Sequence, residues 1–294
     1  MSNFESYCIN ILLIDIIYLF ISIKEIFMET LNILGTGSAM VTKCYNTCFT
    51  ISNDDEYFLI DAGGGNTILT NLEKSNIKIE NIHNMFISHN HNDHILGGVW
   101  VIRAVAQSIL NEKYSGIFNI YCHKKSIEAL KSIASFVLQK KFLDLFEFKI
   151  CFIAIDDGYE TEILGRKTTF FNIDSKKELQ HGFTTQLKNG KTLTFLGDEP
   201  YKNSLEIYCK KVDYLFHEAF CLFSQKDIFK PYEKHHATVK DACKNASLLN
   251  VQNIILYHTE DKNLSTRKEL YIKEGKKEFS GNIYIPNDLD IIKL

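Results

Sequence analysis

The chain has 294 residues, of which 45% are hydrophobic and 12% aromatic, so it has enough apolar material for a buried core. Fifteen glycines and three prolines exclude a collagen-like or low-complexity chain. The formal net charge of −3 at pH 7 shows no basic excess of the kind that marks general nucleic-acid-binding proteins.

The first 27 residues differ in character from the rest. Residues 9–23 are apolar except for Asp15, but they fall short of the roughly 20 residues that cross a membrane. No basic residue precedes them and no small-residue cleavage site follows them. Met28 opens an enzyme-like run, and codons for 23–27 can contain a ribosome-binding sequence. We therefore expect 1–27 to be an apolar leader that is not part of the native protein, with a membrane anchor as the alternative, and 28–294 to be one domain.

The first half of that domain alternates between strand and helix patterns. Apolar, β-rich runs predict strands at 30–39, 47–52 and 57–65, the last ending in a glycine-rich turn. Helical spacing follows at 66–74. A short apolar run at 85–87 predicts a buried strand, and 95–110 predicts a buried helix whose glycines let its start approach the preceding loop.

The second half continues the alternation. Strands are predicted at 116–122, 146–155, 167–173, 181–187, 191–198, 212–220, 253–261 and 281–294. Helices are predicted at 124–138, 238–249 and 265–276. Asn189-Gly190 is a strong turn dipeptide, so 181–187 and 191–198 should form a hairpin. Two groups of strands separated by helices predict an α+β fold with two sheets face to face and helices outside.

Four potential metal ligands fall within six residues directly after the strand at 85–87. They are His89, His91, Asp93 and His94, in a chain with ten histidines in all. A short loop can direct two imidazoles at one metal and pass a carboxylate and a third imidazole to a second. Imidazole and carboxylate ligands that leave one coordination position of the metal open are typical of catalytic zinc, with manganese and iron as alternatives.

Further ligand types recur where later strands begin or end. His181 opens a strand, Asp198 ends one in LGD, and His258 ends one in YHTED. A carboxylate such as Asp198 can bridge two cations about 3.5–4 Å apart. Taken singly, a histidine at a strand end is more often a surface residue.

The ordered motifs NILGTGSA, FLIDAGGG, SHNHNDHILGG, LGD and YHTED resemble those of the metallo-β-lactamase superfamily. The resemblance covers most of residues 30–260 and implies a four-layer αβ/βα sandwich with two mixed sheets. It implies two divalent metal ions, most simply zinc. The residues that it assigns to one metal are His89, His91 and His181, those for the other are Asp93, His94 and His258, and the bridging residue is Asp198. His91 stands where diiron redox relatives have Glu, which favours a hydrolase.

Two carboxyl-terminal motifs, LFHEAF and HATVKDACKNA, resemble those that mark ribonuclease Z-type phosphodiesterases. The resemblance implies that Glu218 supports His236, which acts near the scissile phosphate, and a carboxylate can orient an imidazole and raise its pKa. Asp93 is the candidate acceptor of the water proton. The alternative for His236 is a polar residue at a helix start, and His217 and His235 are interpreted as structural or surface residues.

One departure from ribonuclease Z concerns its long tRNA-gripping arm, which lies between the positions of His181 and Asp198. Here the interval is short and predicts a plain hairpin. We therefore expect a phosphodiester or another small ester as substrate, with RNA, including tRNA 3′-end cleavage, as an alternative. A homodimer is a state that the resemblance allows.

The sequence thus predicts a cytoplasmic binuclear metal-dependent hydrolase with no stable membrane association, in which a metal-bridging hydroxide attacks a phosphodiester. The eight cysteines form no C-x-x-C pair and are interpreted as free thiols. Two alternatives stay open. The same metals could hydrolyse a lactone or thioester, or the chain could be a noncatalytic metal-binding or nucleic-acid-binding module.

Overall fold

The computed structural model describes residues 29–294, so the predicted leader at 1–27 and its boundary at Met28 lie outside the described residues. The strands are β1 (Thr30–Gly35), β2 (Cys48–Asn53), β3 (Glu56–Ile60), β4 (Ile82–Phe86), β5 (Phe118–Cys122), β6 (Ile150–Ala154), β7 (Tyr159–Ile163), β8 (Arg166–Asn172), β9 (His181–Gln186), β10 (Thr192–Phe195), β11 (Tyr214–Glu218), β12 (Asn253–Tyr257), β13 (Asn282–Tyr284) and β14 (Ile291–Lys293). The α-helices are α1 (Thr67–Lys74), α2 (Asn92–Leu110), α3 (Lys124–Val137), α4 (Lys140–Leu143), α5 (Glu206–Cys209), α6 (Lys226–Phe229), α7 (Val239–Leu248) and α8 (Arg267–Gly275).

The strands form two seven-stranded sheets. One has the order β14-β1-β2-β3-β4-β5-β6 and the other the order β13-β12-β11-β10-β9-β8-β7. Each sheet is mixed: β1 to β3 and β7 to β10 pair antiparallel, whereas β3 to β6 and β10 to β13 pair parallel. The predicted hairpin around Gly190 joins β9 to β10. The predicted final strand is divided, because β13 joins one sheet and β14 the other.

Aromatic side chains from both sheets meet in the central layer of the core. Phe49 on β2 stacks on Phe216 on β11 with ring centroids 4.4 Å apart, and Phe86 on β4 packs against Phe170 on β8 at 5.0 Å. All four are buried, and each such burial contributes about 1.5–3 kcal/mol to stability. This layer joins the two sheets face to face.

Two further apolar clusters cover the outer faces of the sheets. The first lies under α1, α2 and α3 and includes Leu72, Ile102 and Leu130. The second lies under α7 and α8 and includes Ala242 and Tyr271. The predicted α+β class and four-layer αβ/βα sandwich are therefore confirmed.

Helix α2 begins earlier than predicted. It starts at Asn92, with His91 in the preceding cap position, so Asp93 and His94 lie in its first turn rather than on the loop. An acidic residue there is stabilised by the positive end of the helix dipole. The glycines of α2 were predicted to bring the helix start close to the preceding loop, but the close approach is to a different loop, since a Cβ at Gly97 would overlap the carbonyl group of Ala62 after β3.

Strand β7 was not predicted. Its sequence YETEI carries two glutamates, and its burial alternates between exposed and partly buried positions. It is the edge strand of its sheet and forms a hairpin with β8. An edge strand with one solvated face lacks the continuous apolar run on which the strand predictions depended.

Within residues 29–294, no helix is long and apolar enough to cross a membrane. The described cysteines are free thiols: Cys44, Cys48, Cys122, Cys151, Cys209, Cys221 and Cys243. Burial raises the pKa of the Cys122 and Cys209 thiols to about 12, so these two stay protonated at neutral pH.

Candidate metal centre

The candidate site lies where strand ends from both sheets meet. β10, β11 and β12 run parallel, so their carboxyl ends, followed by Asp198, Glu218 and His258, share one edge. β9 runs antiparallel to β10 and therefore begins at this edge with His181. The loop after β4 brings the His89 run to the same place, since the backbone nitrogen of His181 donates to the Ser88 carbonyl at 3.1 Å.

His89, His91 and Asp198 form the first group of potential ligands, with one ligand atom from each within 4.8 Å of the others. Nε2 of His89 lies 2.8 Å from Nδ1 of His91 and 3.6 Å from Oδ2 of Asp198. Two imidazole lone pairs cannot face each other at 2.8 Å unless a proton or a cation lies between them. The group can therefore bind a cation.

Asp93, His94 and His258 form a second group with the same closeness. Oδ2 of Asp93 lies 3.4 Å from Nε2 of His94 and 3.5 Å from Nε2 of His258. Asp198 also reaches this group, with its Oδ2 3.8 Å from Nε2 of His258. One carboxylate thus lies beside both groups, which is the position that a bridging ligand occupies.

His181 lies next to these groups but is in neither of them. It is 2% exposed, and neither of its ring nitrogens has a hydrogen-bond partner within the described part of the chain. The neighbouring ring is that of His123, with centroids 5.9 Å apart. The predicted first-metal set is therefore assembled only in part, and the role of His181 as a ligand stays a prediction.

Buried polar atoms without partners test whether these residues fit a metal. Among residues 29–294, hydrogen-bond partners are lacking for Nε2 of His94, for both ring nitrogens of His258 and for Oδ1 of Asp198. Each unsatisfied buried group costs about 1–3 kcal/mol. Imidazole and carboxylate donors are the ligands that zinc-like ions prefer. The residues present fit divalent metal ions.

Asp61, which the sequence analysis missed, orients two of these imidazoles. Its carboxylate accepts hydrogen bonds from Nδ1 of His94 at 2.8 Å and from the Ser88 hydroxyl at 2.8 Å. Because the Ser88 proton goes to Asp61, Ser88 Oγ accepts from Nδ1 of His89, 2.9 Å away. Nδ1 of each histidine is therefore occupied by a hydrogen bond, and Nε2 is the ring atom that each can offer to a metal. The signal in the sequence was an aspartate between an apolar strand and a glycine turn.

Backbone conformation also distinguishes two of these residues. Asp61 has φ of +52° and His258 has φ of +56°, a left-handed region that residues other than glycine seldom adopt. Each directly follows the last residue of a strand, β3 for Asp61 and β12 for His258. The left-handed conformation therefore ends both strands at a candidate site residue.

Burial and neighbouring charges keep three of the imidazoles neutral and Asp93 ionised, which are the protonation states that bind metal. Burial lowers the pKa of His89 well below its usual range, lowers that of His258, and lowers that of His181 to about 4. Burial opposes ionisation of Asp93 as well, but His94 and His258 hold the pKa of Asp93 below its usual range.

His94 is the exception among these imidazoles. Burial alone would lower its pKa, yet the carboxylates of Asp93 and Asp61 raise it well above the usual value. A cation that binds at Nε2 must displace this proton, so metal binding should release one.

Glu218 and His236 form a hydrogen-bonded pair beside the second group. Nδ1 of His236 donates to Oε2 of Glu218 at 2.9 Å, and the backbone nitrogen of Ala237 donates to Oε1 at 2.5 Å. Burial alone would lower the pKa of His236, but the Glu218 carboxylate raises it. The His236 ring stacks on Phe220 with centroids 5.0 Å apart. The predicted pairing of these two side chains is therefore present.

The other two histidines near Glu218 and His236 are His217 and His235, and neither pairs with the Glu218 carboxylate among the described hydrogen bonds. His217 is buried, and its Nδ1 donates to the Glu218 carbonyl at 2.7 Å. His235 is exposed in a left-handed conformation. These positions agree with their interpretation as a structural and a surface residue.

A cavity of about 370 Å³ opens onto the two groups. Its lining includes His236 and the proposed ligands His91, Asp93, Asp198 and His258. Met40, Lys177, Phe220 and Lys234 also line it. A substrate in this cavity would contact the metal ligands and His236 together.

A family model described as "Anti-Pycsar protein Apyc1" matches residues 29–281. The chain belongs to this family. It is 30% identical to ribonuclease Z of Prochlorococcus marinus strain MIT 9515, a match that covers 89% of this chain and 98% of the relative. It is 26% identical to ribonuclease Z of Thermococcus sibiricus, covering 89% and 95% respectively.

Solved structures show the same fold. The metallo-β-lactamase fold protein YhfI from Bacillus subtilis superposes with a TM-score of 0.75 at 17% identity, covering 91% of this chain and 100% of that one. The short form of human tRNase Z gives a TM-score of 0.70 at 20% identity, covering 90% and 98%. The predicted membership of the metallo-β-lactamase superfamily is confirmed, and this family member is a metal-dependent hydrolase of the ribonuclease Z-like group.

Proposed function

We propose that the protein is a binuclear metal-dependent phosphodiesterase. The observation that carries the proposal is the hydrogen bond between Glu218 and His236. It lies beside the two ligand groups, of which the first contains Asp198 and the second has His258 3.8 Å from the same carboxylate. A pair of this kind can supply a proton to an alkoxide leaving oxygen, which accelerates phosphodiester hydrolysis. The curated relatives named ribonuclease Z support the same chemistry.

The proposal assigns seven side chains to two divalent ions, for which zinc suits the donor set best. One ion would be held by His89, His91 and His181, the other by Asp93, His94 and His258, and both by Asp198. Bound at these positions, such ions would supply Lewis acidity and make water acidic enough to react near neutral pH. We further propose that 28–294 acts as one hydrolase domain.

The chain's own residues then divide the proton transfers. Asp93 accepts the proton of the attacking water as the new P–O bond forms. His236 donates its proton to the leaving oxygen as the old P–O bond breaks, and Glu218 keeps that imidazole protonated by raising its pKa. The protons balance, because one is taken from water and one is given to the leaving group.

The superfamily chemistry also allows hydrolysis of a lactone or thioester, and RNA remains an alternative substrate. The Glu218–His236 pair favours the phosphodiester over the acyl ester. The short β9–β10 hairpin occupies the interval between His181 and Asp198, where the tRNA-gripping arm would be inserted. This favours a small phosphodiester over a tRNA precursor.

A substrate panel on the metal-loaded protein tests the proposal. We expect about two metal ions per chain and turnover of bis(p-nitrophenyl) phosphate above that of acyl-lactones, with cyclic nucleotides and tRNA precursors included to find the natural class. The variant His236→Asn should keep its metal and lose kcat most on substrates with an alkoxide leaving group, such as the cyclic nucleotides, because p-nitrophenolate departs without a proton. The exposed neighbour in His235→Asn provides a matched control. Turnover of lactones without any turnover of phosphodiesters would contradict the proposal.

A further inference from the structure

Lys177 places a cationic side chain against the proposed bridging carboxylate. Its Nζ lies 3.3 Å from Oδ2 of Asp198 and 3.3 Å from the Asp198 carbonyl oxygen. The side chain is only 17% exposed and lines the same cavity as His236. It comes from the segment between β8 and β9, whose sequence pattern gives no indication of a site.

The position of Lys177 is fixed by a buried carboxylate. Glu199, which is 2% exposed, accepts hydrogen bonds from the Ser175 hydroxyl at 2.6 Å and from the backbone nitrogens of Lys176 and Lys177, each at 3.2 Å. Its other oxygen accepts from Nζ of Lys202 at 2.8 Å. Because Glu199 directly follows Asp198, the same turn sets both the carboxylate and the lysine that faces it.

An ammonium group has three N–H donors. Two acceptors of the Lys177 ammonium lie within the described residues, and both are oxygens of Asp198. A third donor therefore remains for a group inside the cavity. Lys234 differs, because it is exposed and its Nζ lies 5.1 Å from the centroid of the Phe220 ring.

We infer that Lys177 binds a nonbridging phosphoryl oxygen of the substrate and makes the site prefer anionic esters over neutral ones. The inference depends on the proposed phosphodiesterase function and names the feature that selects its substrate class. Lys177 would provide a positive charge that does not depend on the metals. A neutral acyl ester has no charged oxygen for this ammonium, so the same contact adds little to the binding of such an ester.

Two measurements on the zinc-loaded protein test this role. The first is the binding of inorganic phosphate by calorimetry, and the second is the KM for bis(p-nitrophenyl) phosphate beside that for p-nitrophenyl acetate. A hydrogen bond to a charged group contributes enough that Lys177→Met should weaken phosphate binding and raise the phosphodiester KM by about 10-fold to 100-fold. The acetate KM should change by less than about 3-fold.

Matched variants separate charge from structure. Lys177→Arg should restore most phosphate binding, and Lys176→Met, at an exposed neighbouring position, should behave as the parent protein. The zinc content of Lys177→Met should equal that of the parent. If Lys177→Met binds phosphate as the parent does, or if it loses zinc and both ester activities together, the inference is wrong and Lys177 only supports Asp198.

The two proposals can fail separately. A parent protein that does not hydrolyse phosphodiesters would contradict the proposed function, while the phosphate-binding comparison would still decide the role of Lys177. Conversely, unchanged phosphate binding in Lys177→Met would reject the lysine contact and leave the phosphodiesterase activity of the parent protein unaffected.

Discussion

Oδ2 of Asp198 lies 3.8 Å from Nε2 of His258. Asp198 follows β10 and His258 follows β12, two strands of the same sheet. The same Asp198 oxygen lies 3.6 Å from Nε2 of His89, which comes from the other sheet. Asp198 therefore connects the two halves of the sandwich at the candidate site. Its loss should affect both proposed metal positions, whereas loss of an outlying histidine should affect one.

Asp198→Asn should reduce metal content from about two ions per chain to one or fewer, because an amide oxygen is a weaker ligand and cannot neutralise two cations. Several kcal/mol of transition-state stabilisation depend on those ions, so phosphodiester turnover should fall by at least about 10³-fold. Metal analysis and steady-state kinetics measure both effects. Asp55→Asn, at an exposed turn, is the matched control, and a variant at 198 with two ions and full turnover would refute the bridging role.

Asp61→Asn should keep the fold and weaken metal binding. Asparagine tolerates the left-handed backbone at this position. Its amide nitrogen, however, can replace neither Oδ1, which accepts from the Ser88 backbone nitrogen at 2.7 Å, nor Oδ2, which accepts from His94 and the Ser88 hydroxyl. Supporting residues of this kind change metal affinity by about 10-fold to 100-fold. Zinc titration against a competing chelator measures the change, and an affinity equal to that of the parent protein would show that Asp61 does not orient the ligands.

Glu218→Gln should leave both metals bound and change the pH profile of kcat. Since Glu218 raises the pKa of His236, the proton donor persists to higher pH in the parent protein. Without the carboxylate the pKa of His236 falls, so the decline of kcat with rising pH should begin at a lower pH. Where the pH lies well above the lowered pKa of His236 the proton donor is lost, so kcat should drop there by up to about 10²-fold to 10⁴-fold. Glu233→Gln changes an exposed carboxylate and serves as control, and an unshifted profile would remove Glu218 from this role.

The stability of the metal-free protein should depend on pH through His181. Burial lowers the pKa of this imidazole in the folded protein to about 4, from the ordinary value of 6.5. As the pH falls, His181 therefore binds a proton in the unfolded chain before it does so in the folded protein. The free energy of unfolding falls by up to about 3 kcal/mol as the pH drops from about 6.5 to about 4.

His181→Gln should flatten that pH dependence relative to the parent protein. Chemical denaturation at several pH values in the presence of a chelator measures it. His89 and His258 are also buried with lowered pKa values and contribute in the same direction. The contribution of His181 is therefore the difference in slope between His181→Gln and the parent protein. Equal slopes in the two proteins would show that the His181 imidazole is not held in its neutral form.

The strand ends and the spacing of the His89 run could be predicted because apolar runs mark buried strands and polar ligands directly follow them. The sequence also indicated which residues would face each other at the edge, including Asp198 and His258. It could not reveal Asp61 or Lys177, because their importance depends on side-chain contacts across the fold. Strand β7 was missed since its pattern is polar and its pairing partner decides its structure.

Diffraction from crystals of the zinc-loaded protein, recorded on both sides of the zinc absorption edge, would show whether two metal ions share Asp198. We predict two anomalous peaks about 3.5–4 Å apart, both in contact with Asp198, with His181 as a further ligand of the peak at His89 and His91. A single peak, or two peaks of which one does not touch Asp198, would contradict it.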